Sequence, residues 1–132
     1  MRILVPGAPI AKKRPRFARR GKFVQTYNEQ ETEEGKWLLL AKGQIAEAMQ
    51  GPVKATFIFH MPIPKSAPKK MREKALAEHV PHIKKPDLDN LIKFAKDCLN
   101  GVAWHDDSQV CEIEAWKCYG EKPRTEVIIE AA

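Results

Sequence analysis

Apolar and polar positions change their spacing several times along the chain, and each change predicts an element. Ile3-Leu4-Val5 is a short apolar run inside Met1–Pro9 and reads as a strand. From Ala11 to Gly21 the chain is basic, and Pro15 and Gly21 oppose a long helix. This tract reads as a basic loop with short strands possible, continuing through Phe23-Val24. Between Thr32 and Met49, Trp37, Leu38, Leu40, Ala41, Ile45, Ala48 and Met49 recur at helical spacing, with Asn28 or Thr32 as the cap and Gly51-Pro52 as the stop. Val53–Met61 is rich in β-formers and partly alternates, as a strand does.

Pro62–Pro68 then reads as a loop, Lys69–Glu78 as a charged surface helix, and His79–Pro86 as a loop interrupted by proline. Asp87–Asn100 is a strongly patterned helix: Leu88, Leu91, Ile92, Ala95, Cys98 and Leu99 share one face, and Asn100-Gly101 ends it. Val110–Tyr119 and Thr125–Ile129 read as two strands joined by a turn. There is no internal repeat and no linker long enough to divide residues 1–132. The order predicts one α+β domain, a small mixed sheet packed with helices.

Composition narrows the function classes. A net charge of +6 and an isoelectric point near 9.3 favour a polyanionic partner, nucleic acid before an acidic membrane surface. The distribution says more than the sum: Lys12 to Lys22 holds seven Lys or Arg and no acid. No apolar run approaches a membrane span and no signal peptide is evident. Three cysteines without a CxxC pair argue against a disulfide framework and a four-cysteine zinc site, and a reducing cytoplasm is the expected location. Cys98, Cys111 and Cys118 are expected to be buried and inert, and Trp37, Trp104 and Trp116 to be core or interface residues.

The candidate chemistry begins at Lys84-Lys85-Pro86-Asp87-Leu88-Asp89-Asn90-Leu91-Ile92-Lys93. Pro86 favours a helix start just beyond it. Asp87 and Asp89 converge if the approach is extended, and a carboxylate pair held together calls for a cation between, with hard oxygen donors suiting Mg²⁺ or Mn²⁺. The competing reading is that an Asp here caps the helix. Asp89 and Lys93 are an i,i+4 pair able to face each other. A second acidic turn, Trp104-His105-Asp106-Asp107-Ser108-Gln109-Val110, stands just before a predicted strand; alone it reads as a solvated turn. Spacing does not place it at the Asp87 end. His79 and His82, with Pro81 between them, read as loop histidines rather than metal ligands.

The pattern KPDLDNLIK, then DCLNG, then HDDSQV resembles the RusA family of Holliday-junction resolvases, and PGAPIAKKRPRF at the amino terminus resembles members of phage or prophage type. The resemblance spans most of the chain and is most specific from Asp87 to Val110. It implies a RusA-like homodimer that acts with Mg²⁺ (Mn²⁺ possible) on four-way DNA junctions in recombination and repair. It implies Asp87, Asp89 and Asp107 as catalytic metal ligands, Lys93 as the active-site lysine, Asn90 as shaping the site, and Asp106 as a supporting acid; His105 receives no role. Lys12, Lys13, Arg14, Arg16, Arg19, Arg20, Lys84 and Lys85 are the expected phosphate contacts, with Lys69 and Lys70 also available. Phe17 is expected to stack on an unpaired base or to pack on the core. The expected action is paired, symmetric nicking of a junction in the cytoplasm, at the nucleoid. The rivals are a nuclease of broader range, on flaps or forks, and a non-catalytic DNA-binding protein of the same fold.

Overall fold

A computed structural model of the chain describes residues 1–13, 16–20, 23–27, 30–78 and 80–132. Ten elements follow in order: β1 (Arg2–Pro6), β2 (Arg16–Arg20), β3 (Phe23–Tyr27), α1 (Glu31–Lys42), β4 (Val53–Pro62), α2 (Lys69–Glu78), α3 (Leu88–Leu99), a short 3₁₀ turn (Asp107–Gln109), β5 (Val110–Gly120) and β6 (Arg124–Ala131). Among the described residues this is a small α+β domain with a mixed four-stranded sheet and three α-helices.

The sheet runs β1-β6-β4-β5. β6 pairs antiparallel with both β1 and β4, whereas β5 runs parallel to β4. A parallel pair needs a long crossover, and residues 63–109, with α2 and α3, supply it. β4 is central and is covered almost throughout, which explains why its sequence alternates only partly. Its Val53, Ala55, Phe57 and Phe59 join Ile3, Val5, Val127 and Ile129 from the neighbouring strands in the core. Each large apolar side chain withdrawn from water here contributes roughly 1.5–3 kcal/mol before chain entropy is set against it.

Helix α3 covers this core with Leu91, Phe94, Ala95, Cys98 and Leu99, at steps of three and four along one stripe. Phe94 meets Trp37 of α1 edge-on, with ring centroids 6.1 Å apart. α1 is shorter than the spacing of apolar residues predicts. It stops at Lys42, and the residues beyond Gly43 pack as a loop that still buries part of Ile45 and Met49. Those two residues mimic helical spacing because they reach the same core from a loop. The cap is Gln30 rather than Thr32, which lies inside the helix; Asn28 falls outside the described residues.

The basic tract forms a β2–β3 hairpin, separate from the main sheet. Its root is held firmly. Buried Gln30 accepts from the Lys13 backbone N–H (2.6 Å) and donates to the Ala11 carbonyl (2.7 Å). Among the described residues no helix is long and apolar enough to cross a membrane.

Candidate active site

β5 places the start of α3. The Tyr119 N–H donates to the Val80 carbonyl (3.0 Å), and the His82 N–H donates to the Lys117 carbonyl (3.1 Å). Residues 80–82 therefore run antiparallel along the outer edge of β5. The Lys117 side chain extends the attachment, its ammonium donating to the carbonyls of Lys84 (2.5 Å) and Pro86 (2.6 Å). The Lys85–Pro86 peptide bond is cis. Asp87 follows at once, extended at φ −70° and ψ 145°, and occupies the N-cap position of α3.

Asp87 does not do the cap's work: its side chain makes no capping hydrogen bond. Asp89, in the first turn of the helix, accepts only the local Asn90 N–H (3.0 Å) among the hydrogen bonds of the described residues. Both carboxylates are exposed, at the positive end of α3. Beside them lies an open groove of about 410 Å³ lined by Lys85, Pro86, Asp87 and Asn90. Asn90 also ties down the basic arm, its carbonyl accepting from the Lys12 N–H (2.9 Å). Lys93 does not pair with Asp89; its ammonium lies 3.6 Å from Asp97 and its side chain is 62% exposed, leaving it free to turn toward a ligand.

The second acidic turn is built differently. Asp106 caps the 3₁₀ turn, accepting from the backbone and hydroxyl of Ser108, while Gln109 returns its side chain to the Asp106 N–H in a capping box. The two Ser108 bonds hold the Asp106 carboxyl below its ordinary range. Asp107 accepts from the indole N–H of fully buried Trp104 (2.8 Å). Gln109 also donates to the carbonyls of Met49 and Gly51, fixing the turn to the body.

These two acidic sites are not brought together within one chain. Asp87 stands at the N-terminal end of α3, whereas Trp104, which holds Asp107, pairs with Asn100 at the C-terminal end. A 12-residue helix is about 18 Å long. Along β5 the same separation appears, with Asp107 before its first residue and Lys117 seven residues on. Consistent with this, no group of three or more His, Cys, Asp or Glu among the described residues is arranged to hold a metal ion.

The other sequence-predicted residues divide. Lys84 and Lys85 are exposed, with Lys85 lining the groove, and Lys13 is exposed at the root of the arm. Lys12 is committed inward, 2.7 Å from Glu34 and 3.2 Å from Asp97, with 16% of its side chain exposed. Arg14 and the side chains of Arg16, Phe17, Arg19 and Arg20 lie outside the described residues, as does His79. His82 is buried against Tyr119, and burial together with the Lys117 charge lowers its pKa, which disfavours the imidazolium. Trp37 and Trp104 are core residues, but Trp116 is 46% exposed. Cys98 and Cys118 are buried, with burial pushing the Cys98 thiol up to about 12; Cys111 is exposed, contrary to expectation.

Sequence reasoning missed Lys117 and Trp104 as parts of this apparatus. Lys117 has one available signal, a lone cation on the core-facing side of a strand. Trp104 adjoins the acidic turn but reads simply as core.

Comparison with known proteins accords with this geometry. A protein of Bacillus subtilis (strain 168) described as "Uncharacterized protein YqaN" is 34% identical over 134 residues, covering 98% of this chain and 94% of that one. The family model of endodeoxyribonuclease RusA matches residues 6–130, nearly the whole length and both acidic turns. The chain belongs to the RusA endodeoxyribonuclease family.

Proposed function

We propose that this chain is a metal-dependent endonuclease that resolves four-way DNA junctions, working as a homodimer with Mg²⁺ or Mn²⁺. The observation that carries the reading is the start of α3. An acid stands at the N-cap without capping and lines an open groove with Lys85 and Asn90, and a second, exposed acid stands two residues on. A capping role needs the missing hydrogen bond; a ligand role needs it absent.

The donor set suits a hard divalent cation, since carboxylate oxygens are its preferred partners. Asp87 and Asp89 would hold it. The motif's likeness to the RusA family assigns Asp107 to the same set; it stands at the far end of α3, so in this reading it completes a site on a second chain. The metal supplies Lewis-acid polarisation of a phosphate oxygen. Lys93, exposed one turn after Asp89, offers a positive charge to the scissile phosphate as negative charge builds there. Lys13, Lys84, Lys85 and the basic hairpin bind flanking phosphates, and a two-fold protein matches the approximate symmetry of a junction.

The deciding experiment is cleavage of an end-labelled four-way junction, with duplex, flap and fork controls, by the wild type and Asp89→Asn. Paired nicks on the junction, lost without divalent metal and in the variant, are expected. Equal cutting of flaps and forks makes the protein a broader branch nuclease. Binding without cutting under either metal makes it a DNA-binding protein that keeps only the fold.

A further inference from the structure

We propose that Lys117 is a positioning residue for Asp87, setting the carboxylate pair for its cation; this rests on the reading of Asp87 and Asp89 as metal ligands. The argument is one of spacing. The main chain of β5 holds residues 80 and 82, and the Lys117 ammonium then takes the carbonyls of residues 84 and 86. The segment is thus gripped at every second residue up to the one before Asp87. Beyond residue 82 the Lys117 side chain carries the attachment, and it does so from β5, whose parallel partner β4 lies in the core.

This lysine differs from Lys84, Lys85 and Lys93. Lys84 and Lys85 are exposed, and Lys93 shares only a loose ion pair. The Lys117 ammonium is engaged by two carbonyl oxygens, which fixes it and withdraws it from phosphate. Its effect on a ligand at Asp87 therefore passes through the backbone of Pro86. Removing it frees the residues that set Asp87 relative to Asp89 and leaves the exposed basic residues untouched. Metal binding is expected to suffer while DNA binding does not.

The test compares Lys117→Met, which keeps the length and removes the donors, with Lys117→Arg, which can still donate to two carbonyls. Mn²⁺ binding is measured without DNA, junction binding without metal, and amide exchange from residues 88 to 91. Lys117→Met is expected to weaken Mn²⁺ binding about tenfold, the usual scale for groups that orient metal ligands. Exchange at the start of α3 should rise, and junction binding should stay within about twofold of wild type, since the phosphate contacts are unchanged. Lys117→Arg should recover most of the metal binding. Wild-type Mn²⁺ binding in Lys117→Met overturns the proposal, as does equal loss of metal and junction binding in both variants. Should Lys117→Met not fold, Lys117→Gln carries the same expectations. A wild type that binds Mn²⁺ but never cuts a junction refutes the nuclease reading, while the positioning role is still decided by metal binding and exchange.

Discussion

Two acidic turns in this molecule have nearly the same composition and opposite construction. Before β5, Asp106 caps a short turn, Asp107 accepts from a buried indole, and Gln109 closes the structure on two further carbonyls. At the start of α3, the scaffold beneath is bonded just as thoroughly, but the carboxylates of Asp87 and Asp89 are left open. Capping is the ordinary reason for an Asp at a helix start. Here Asp106 meets that description and Asp87, in the formal cap position, does not. An acid that occupies a cap position without forming the bond gives up a stabilising contact, and proteins tend to do so where a ligand takes its place.

Exchanging the two turns' properties by mutation is the strongest way to break this contrast. Asp87→Ala is expected to reduce junction cleavage by about 10²–10³-fold, the scale of removing one electrostatic contributor to a transition state. Its thermal midpoint should fall little, because no capping bond is lost and only the weak attraction to the helix dipole goes with the charge. Asp106→Ala should do the reverse, lowering the midpoint while cleavage falls much less. Parallel melting curves and cleavage rates decide it, and an Asp87→Ala as destabilised as Asp106→Ala would end the distinction.

A smaller effect is expected at Trp104→Phe. The variant keeps an aromatic ring in the core but removes the N–H bonded to half-buried Asp107. Leaving that acceptor unpaired should cost about 1–3 kcal/mol of stability, read from urea unfolding. Cleavage should fall about tenfold if Asp107 also serves the site, as loss of an orienting partner does elsewhere. Unchanged cleavage in a destabilised variant would confine Asp107 to folding.

Glu126 sharpens the comparison as a carboxylate with a folding role alone. It lies on the sheet face opposite the α1–α3 core, 2.9 Å from Arg2 and 3.4 Å from His60. Burial raises its pKa, but the hydrogen bonds and charges of Arg2 and His60 outweigh this and lower it below the ordinary 4.5. Its stabilising contribution is therefore present above about 4.5, the unfolded value, and is lost as pH falls through the lower folded value. Urea midpoints of wild type and Glu126→Gln should differ modestly at neutral pH and converge in acid, with cleavage at neutral pH nearly unchanged.

The sequence was legible where periodicity and family motif agree. Strands β1, β4, β5 and β6 and helix α3 follow from apolar spacing because each packs one regular face or a continuous run, whereas α2 was legible as a charged surface helix. The end of α1 does not follow, since Ile45 and Met49 reach the core from a loop and keep a helical spacing by coincidence. Asp87, Asp89 and Asp107 were named from the motif, but their separation along α3 was not, because no local pattern encodes which end of a helix a later turn returns to. The inward turn of Lys12 was also hidden: its partners Glu34 and Asp97 are distant in sequence. Lys117 escaped notice because its partners are backbone carbonyls, which every sequence contains.

Buried Gln30 has a further consequence for how this chain can vary. Its amide bonds both the carbonyl and the N–H side of the Ala11–Lys13 stretch, so the chain leaves the domain and returns to it at nearly one point. A loop whose ends are already joined can change length at little entropic cost, since closure entropy grows only slowly with residue number. The hairpin is thus an exchangeable cassette: its length and charge can be recut, as in a library of grafted arms, without disturbing the sheet or the acidic turns.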